Sequence, residues 1–190
     1  TATDANRFAI RLARELTRRP KILVFNWCYH GSVDETFASL KGSSVVSREG
    51  NVGPPVPLDE TTRVVEWNDA EALERELARG DVACVLAEPA LTNIGIVLPE
   101  PGFHDALRAA TRETGTLLII DETHTLCAGP GGYTAAYGLE PDVLTVGKAI
   151  AAGIPAAAYG FSEPVAERLE AMLPADERAD VGGIGGTVAA

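Results

Sequence analysis

The fold of this chain is decided by two apolar runs that each end in a charged residue, Leu117-Leu118-Ile119-Ile120-Asp121 and Val143-Leu144-Thr145-Val146-Gly147-Lys148. Continuous aliphatic runs of this length are typical of strands that are buried on both faces, as in a parallel sheet. In an open α/β sheet, ligands bind beyond the carboxyl ends of the strands. We therefore expect the carboxylate of Asp121 and the amine of Lys148 to enter one crevice.

Further apolar runs extend this sheet, and amphipathic segments separate them. Strands are predicted at Lys21–Phe25, 63–67, Val82–Ala87 and 156–161, and helices at 3–17, 69–79, 101–114 and from residue 162 or 163 onwards. The stretch 26–57 is polar and glycine-bearing and carries no predicted element, and its Gly-Asn-Val-Gly-Pro-Pro-Val-Pro run predicts a loop. Because strands alternate with helices, the sequence predicts a three-layer αβα fold with a mainly parallel, doubly wound sheet.

Composition limits the class of protein. The 190 residues carry a net charge of −11, and 46% of them are hydrophobic. One domain spanning 1–190 is long enough to bury a sizeable core. No basic stripe is present for a nucleic acid or an anionic membrane surface, and no apolar stretch is long enough to span a membrane. Three widely spaced cysteines without a CxxC motif argue against a zinc site and favour a reducing, cytoplasmic location.

The two ends of the chain suggest a larger protein. Residue 1 stands directly before a helix pattern, and residues 187–190 have the pattern of another helix start. We therefore expect residues 1–190 to be one large domain of a longer chain, with an N-terminal segment and a C-terminal small domain lying outside it.

The combination of Lys148 and Asp121 has a specific chemical use. A lysine amine can form a Schiff base with an aldehyde, and an aspartate can keep a pyridine nitrogen protonated, and pyridoxal phosphate requires both. In that chemistry the lysine also moves a proton between the substrate and the cofactor. Glu88 ends a third predicted strand in the same way. From the strand ends alone, a structural salt bridge among surface charges is the alternative.

Several short segments carry a resemblance to a known family, and they follow one another in a fixed order. They are Thr1-Ala2-Thr3-Asp4-Ala5-Asn6, Cys28-Tyr29-His30-Gly31, Ala87-Glu88-Pro89 with Asn93-Ile94-Gly95, Pro99-Glu100-Pro101-Gly102-Phe103, Ile120-Asp121-Glu122-Thr123, Gly147-Lys148 and Gly185-Gly186-Thr187. Nearly end to end, the chain resembles the class III aminotransferases of the pyridoxal-phosphate fold-type I superfamily, in the glutamate-1-semialdehyde aminomutase-like branch.

The resemblance implies roles for residues near the start of the chain. Ala2 and Thr3 match the family's Gly-Thr that holds the cofactor phosphate, and N–H groups at a helix start suit an anion. Thr3 is alternatively a plain helix cap. Tyr29 matches the family's aromatic residue that stacks on the pyridine ring of the cofactor. Alternatively, Tyr29 packs where the first strand ends. His30 is the next residue of the same family motif, or else a polar loop residue.

The resemblance also implies roles later in the chain. Glu88 and Asn93 match residues near the cofactor, although Glu88 could instead accept backbone hydrogen bonds in the turn before Pro89. Thr187 matches a threonine that reaches the cofactor phosphate of the neighbouring subunit, which implies a homodimer with shared sites. Thr187 is alternatively an ordinary helix cap. Thr123 departs from the family, which usually has a valine there under the ring. Its hydroxyl could hydrogen-bond the cofactor or a substrate, or its methyl group could simply turn to the ring. No metal ligand is implied.

The functional expectation is therefore a pyridoxal-phosphate-dependent aminotransferase acting on small molecules, with Lys148 and Asp121 as catalytic residues. It would move an amino group between an amine or amino acid and a keto acid or aldehyde. An intramolecular aminomutase of the glutamate-1-semialdehyde type is the alternative within the enzyme class. A non-catalytic scaffold of the same fold is the alternative from another class. A plain nucleotide-binding domain would require a glycine-rich turn after the first strand, and Phe25-Asn26-Trp27-Cys28 has none.

Overall fold

A computed structural model describes residues 1–150 and 152–172 of the chain. One sheet dominates it, with strands β1 (Lys21–Phe25), β4 (Thr62–Val65), β5 (Val82–Ala87), β6 (Leu117–Asp121), β7 (Val143–Val146) and β8 (Ala158–Phe161). The strands lie in the order β4-β1-β5-β6-β7-β8. All neighbours pair in parallel except β7 and β8, which are antiparallel. The prediction of a mainly parallel sheet is confirmed.

Helices flank this sheet. They are α1 (Ala2–Thr17), α2 (Leu58–Thr61), α3 (Ala70–Leu77), α4 (Phe103–Thr114), α5 (Gly132–Ala136) and α6 (Glu163–Glu170). Every residue of β5 and β6 is buried. Successive strand residues point to opposite faces, so this burial shows that both faces of the central strands are covered. The predicted αβα layering is therefore confirmed, and no helix among the described residues is long and apolar enough to cross a membrane.

Local signals in the sequence set several helix ends as predicted. Asp69 caps α3, because its side chain accepts a hydrogen bond from the N–H of Ala72 at 2.8 Å. Gly115 ends α4 in the left-handed conformation, with φ of 65°. Helix α3 ends at Leu77 rather than at residue 79, and β4 ends at Val65 rather than at residue 67.

The stretch 26–57 contains structure that the sequence did not reveal. Strands β2 (Ala38–Lys41) and β3 (Ser44–Ser47) form a separate antiparallel hairpin, with Gly42 in the turn at φ of 62°. A four-residue strand contains too few alternations of apolar and polar residues to be recognised from its sequence pattern. Between β3 and α2, residues 48–57 are irregular, so the loop predicted for the Gly-Asn-Val-Gly-Pro-Pro-Val-Pro run is confirmed.

Candidate active site

One cavity of about 290 Å³ lies at the carboxyl edge of the sheet. Strands β1, β5, β6 and β7 lead respectively to Tyr29, Glu88, Asp121 and Lys148, which all line it. The other lining residues are Thr1, Ala2, Thr3, His30, Gly31, Thr123, His124, Ile154, Pro155 and Ala156. The parallel topology thus brings together most of the residues that the sequence singled out, since the carboxyl ends of parallel strands share one edge.

Two predicted residues fall outside this group. Asn93 is exposed and is not part of the cavity wall, and its Nδ2 atom donates a hydrogen bond to the Trp27 carbonyl at 3.1 Å. Its contact with a cofactor stays a prediction. Thr187 lies outside the described residues, so its role across a subunit boundary stays a prediction as well.

Asp121 is held by an oriented hydrogen-bond network. Its Oδ2 atom accepts from Asn6 Nδ2 at 2.8 Å and bonds His30 Nδ1 at 2.9 Å, and its Oδ1 atom accepts from the Thr123 N–H at 3.0 Å. Asn6 in turn accepts a hydrogen bond from the Thr145 hydroxyl at 2.7 Å. An ionised carboxylate offers about four acceptor positions. One position on Oδ1 therefore remains for a donor in the cavity.

This network keeps Asp121 ionised although it is buried. Burial favours the neutral acid, but hydrogen bonds from His30, Thr123 and Asn6 and the positive charge of His30 lower the pKa of Asp121 to about 2. Burial also opposes protonation of His30, but Cys28 and Asp121 outweigh it and raise the pKa of His30 to about 10. At neutral pH these shifts favour a protonated His30 beside an ionised Asp121, with Nδ1 and Oδ2 2.9 Å apart.

Lys148 occupies an unusual backbone position. It is exposed on the cavity wall and has a φ of 43°, in the left-handed region that non-glycine residues seldom adopt. A residue held in this region of the backbone map destabilises the folded state by about 1–3 kcal/mol, and such residues cluster at functional sites. The residue before it, Gly147, lets β7 approach α1, because a Cβ atom there would lie 2.8 Å from the Ala2 Cβ.

The start of α1 is fixed against the segment after β1. Thr3 Oγ1 accepts a hydrogen bond from the Ser32 N–H at 3.1 Å. Gly31 has a φ of 76°, and a Cβ atom there would lie 2.1 Å from Thr3 Oγ1. The first N–H groups of a helix have no partner within the helix. Ala2 and Thr3, the first residues of α1, line one end of the cavity, and their binding of a phosphate stays a prediction.

Glu88 holds the cavity wall in place. The carboxylate is buried, and its Oε1 atom accepts from the Tyr29 N–H at 3.1 Å. Its Oε2 atom accepts from the Thr92 N–H at 3.1 Å and from the Thr92 hydroxyl at 2.5 Å. The backbone-acceptor role that the sequence left open for Glu88 is thus present, and it positions Tyr29, whose side chain is 40% exposed on the wall.

Asn6 is a site residue that our sequence reasoning did not single out. It is fully buried on the face of α1 that also buries Ala9, Ile10 and Ala13. A polar residue within an otherwise apolar helical stripe was the available signal, because a buried amide requires partners.

We expect Asn6→Ala to lower the free energy of unfolding by about 1–3 kcal/mol, because it leaves Thr145 and Asp121 each short of a buried partner. Loss of the donor also raises the pKa of Asp121. Chemical denaturation measures the change in unfolding free energy. The matched control is Asn51→Ala, in the irregular stretch after β3, which should change the unfolding free energy less. An unchanged unfolding midpoint would contradict the importance of this network.

Comparison with known proteins identifies the family. Residues 1–176 match the family model described as aminotransferase class-III. The chain belongs to the class III aminotransferases. It is 40% identical over 178 residues to a glutamate-1-semialdehyde 2,1-aminomutase of Sulfurihydrogenibium azorense, a match that covers 92% of this chain and 42% of the relative. The chain thus spans less than half the length of the curated relatives it matches.

Solved structures agree with the family assignment. A glutamate-1-semialdehyde-aminomutase from Pseudomonas aeruginosa PAO1 is 50% identical, with a TM-score of 0.92, over 97% of this chain and 41% of that one. A variant of that aminomutase was crystallised in complex with PMP. An omega-transaminase from Sphaerobacter thermophilus is 35% identical, with a TM-score of 0.79, over 87% of this chain and 40% of that one.

Class III aminotransferases use pyridoxal phosphate, and the cavity of this class III chain fits that group. Asp121 has one acceptor position left for a ring N–H, and Ala2 and Thr3 at the start of α1 line the same cavity. His30 Nε2 is buried without a hydrogen-bond partner among the described residues. Lys148 supplies the amine on the same wall.

Proposed function

We propose that the full-length protein is a pyridoxal-phosphate-dependent enzyme that moves an amino group between an amine or amino acid and a keto acid or aldehyde. The observation that carries this proposal is the meeting of ionised Asp121 and exposed Lys148 on one cavity wall, beside the start of α1. A structural salt bridge between the two residues is disfavoured, because Asp121 is already paired with His30 and Asn6.

Each residue has a defined task. When bound, pyridoxal phosphate would supply an aldehyde for the amine substrate and a ring that withdraws electrons. Ala2 and Thr3 would hold the phosphate through their N–H groups, and Asp121 would keep a proton on the ring nitrogen. Tyr29 would cover a ring face. The Lys148 amine would bind the aldehyde between turnovers and carry the proton that moves between two carbon atoms.

An intramolecular aminomutase is the second candidate, and the similarity itself favours it. The relatives named above include two glutamate-1-semialdehyde aminomutases, at 40% and 50% identity. Such an enzyme would return the amino group to the same carbon skeleton and would need no separate acceptor. A homodimer with Thr187 near the neighbouring site and a cytoplasmic location are further parts of this proposal.

The two reactions differ in their need for an acceptor. The full-length protein is loaded with pyridoxal phosphate and mixed with an amine, with and without a keto acid. A transaminase should form one equivalent of carbonyl product and stop until the keto acid is added. An aminomutase should turn over glutamate-1-semialdehyde repeatedly without any keto acid. If well-folded, cofactor-loaded protein performs neither reaction, the non-catalytic scaffold becomes the correct description.

A further inference from the structure

Glu122, the residue after Asp121, has a carboxyl group that the catalytic pair does not use. It is fully buried and is not among the residues that line the cavity. Its Oε2 atom accepts hydrogen bonds from the Thr125 hydroxyl at 2.5 Å and from the Tyr133 N–H at 3.2 Å, and its Oε1 atom accepts from the Thr134 N–H at 2.5 Å. A buried carboxyl group requires such donors, so these three hold it in one place.

The chain closes tightly around this carboxyl group at the start of α5. Gly132 has a φ of 74°, and a Cβ atom there would lie 2.8 Å from Glu122 Oε1. Tyr133 and Thr134 follow in the first turn of α5. The Glu122 side chain therefore joins the end of β6 to the start of α5. Residues 123–131 form a loop whose two ends both meet at Glu122.

The backbone of Glu122 fixes the start of the same loop. Its N–H donates to the Thr145 carbonyl at 2.8 Å, which carries the pairing of β6 and β7 one residue beyond Asp121. Its carbonyl accepts from the Thr125 N–H at 3.0 Å and from the Leu126 N–H at 2.9 Å. The side chain and the backbone of this one residue thus set the course of the chain where it leaves the sheet.

The loop that Glu122 closes carries part of the cavity wall, because Thr123 and His124 both line the cavity. The Thr123 N–H donates to Asp121 Oδ1 at 3.0 Å, and His124 Nδ1 lies 2.5 Å from Thr92 Oγ1. Hydrogen bonds weaken steeply when their geometry departs from the ideal. Both contacts therefore require the loop to keep its position.

We propose that Glu122 is a positioning residue for the cofactor ring, which acts by holding Asp121 and the loop after it in place. It should affect binding of the ring rather than binding of the phosphate, because Ala2 and Thr3 lie on α1 and outside this loop. This inference rests on the cofactor placement proposed above and adds a residue to it.

The central variant is Glu122→Gln, which keeps the shape of the side chain. Either orientation of the amide places an NH₂ group against a backbone N–H, that of Tyr133 or that of Thr134. In the full-length protein we expect the Kd for pyridoxal phosphate and the Kd for pyridoxal, which lacks the phosphate, each to rise by about tenfold. Inorganic phosphate, measured as a competitor of pyridoxal phosphate, should bind within about twofold of its wild-type affinity. Glu113→Gln, at an exposed position on α4, is the matched control and should change none of these values.

Gly132→Ala disturbs the same contact from the other side. It should give the pattern of Glu122→Gln, and the double variant should resemble either single variant rather than their product, because both changes break one contact. Gly138→Ala is the matched control, since Gly138 has a φ of 64° but its added Cβ would meet nothing within 4 Å among the described residues. Thr125→Val removes only the hydroxyl donor and is a milder variant, with an expected rise in both Kd values of about threefold.

Hydrogen exchange without cofactor separates a local change from a loss of folding. The amides of Tyr133 and Thr134 should exchange at least about tenfold faster in Glu122→Gln, because their acceptor is disturbed. The amides of β5 should keep their wild-type protection, since that strand lies in the buried centre of the sheet.

The outcomes separate this inference from the proposed function. Wild-type protein that binds pyridoxal phosphate and pyridoxal, with Glu122 variants that bind both equally well, would remove the role of Glu122 and leave the proposed function standing. An equal loss of affinity for all three ligands, phosphate included, would mean that Glu122 supports the whole cavity and would also overturn the inference. If the wild-type protein binds neither pyridoxal phosphate nor pyridoxal, the proposed function fails, and the role of Glu122 fails with it.

Discussion

Lys148→Ala should abolish covalent capture of pyridoxal phosphate and reduce amino transfer by at least about 10³-fold in the full-length protein. The lysine amine is both the attachment point for the aldehyde and the proton carrier, and no other described lysine lines the cavity. Borohydride treatment followed by mass spectrometry should therefore label the wild-type peptide that contains Lys148 and leave the variant unlabelled.

The matched control for this substitution is Lys41→Ala, in the exposed end of β2 on the hairpin. It removes the same side chain far from the cavity and should leave labelling and turnover unchanged. The folded state of Lys148→Ala should also be intact, because this exposed side chain contributes little to stability. A variant that is still labelled by borohydride to the wild-type extent would show that another amine carries the cofactor.

The sequence predicts the central part of this fold because its strands are continuous apolar runs. β5 and β6 are buried on both faces, so they leave an unambiguous pattern, and the charged residues that follow them must lie at one edge of a parallel sheet. The sequence alone therefore predicts that Asp121 and Lys148 lie together. The hairpin β2–β3 could not, because its strands have four residues each and only intermediate burial at most positions.

The supporting residues of the site were harder to predict than the charged ones. Asn6, Asp121, His30 and Thr145 come from four distant parts of the chain, and only the packing of α1 against the sheet joins them. The link from Glu88 through Thr92 to His124 likewise depends on the geometry of two loops. Sequence patterns reveal which elements form, but hydrogen-bond partners across elements follow from tertiary packing.

Asp121→Asn should lower amino transfer by at least about 10²-fold and also destabilise the folded protein. An amide cannot keep a ring nitrogen protonated as a carboxylate can. In addition, the Asn6 amide and His30 Nδ1 both approach Oδ2, so an NH₂ group at that atom would face two donors. Asn6 cannot simply turn its amide, because its carbonyl accepts from Thr145. Removing one partner of a buried ion pair costs up to about 3–5 kcal/mol.

The pH dependence of stability distinguishes this ion pair from a simple packing defect. The pKa of Asp121 is lowered from 3.8 to about 2, so its stabilisation is present above pH 3.8 and is lost as the pH falls towards 2. The pKa of His30 is raised from 6.5 to about 10, so its stabilisation is present below pH 6.5 and is lost as the pH rises towards 10. The pair therefore stabilises the protein most between about pH 4 and 6.5.

We expect the difference in unfolding free energy between wild type and Asp121→Asn to be largest in that window and to narrow on both sides of it. Denaturation curves collected from pH 3 to pH 9 measure the difference directly. Asp105→Asn, which changes an exposed carboxylate on α4, is the control and should give a small difference at every pH. A difference for Asp121→Asn that stayed constant across the whole range would mean that His30 and Asp121 are not a charged pair, and that the network orients neutral groups instead.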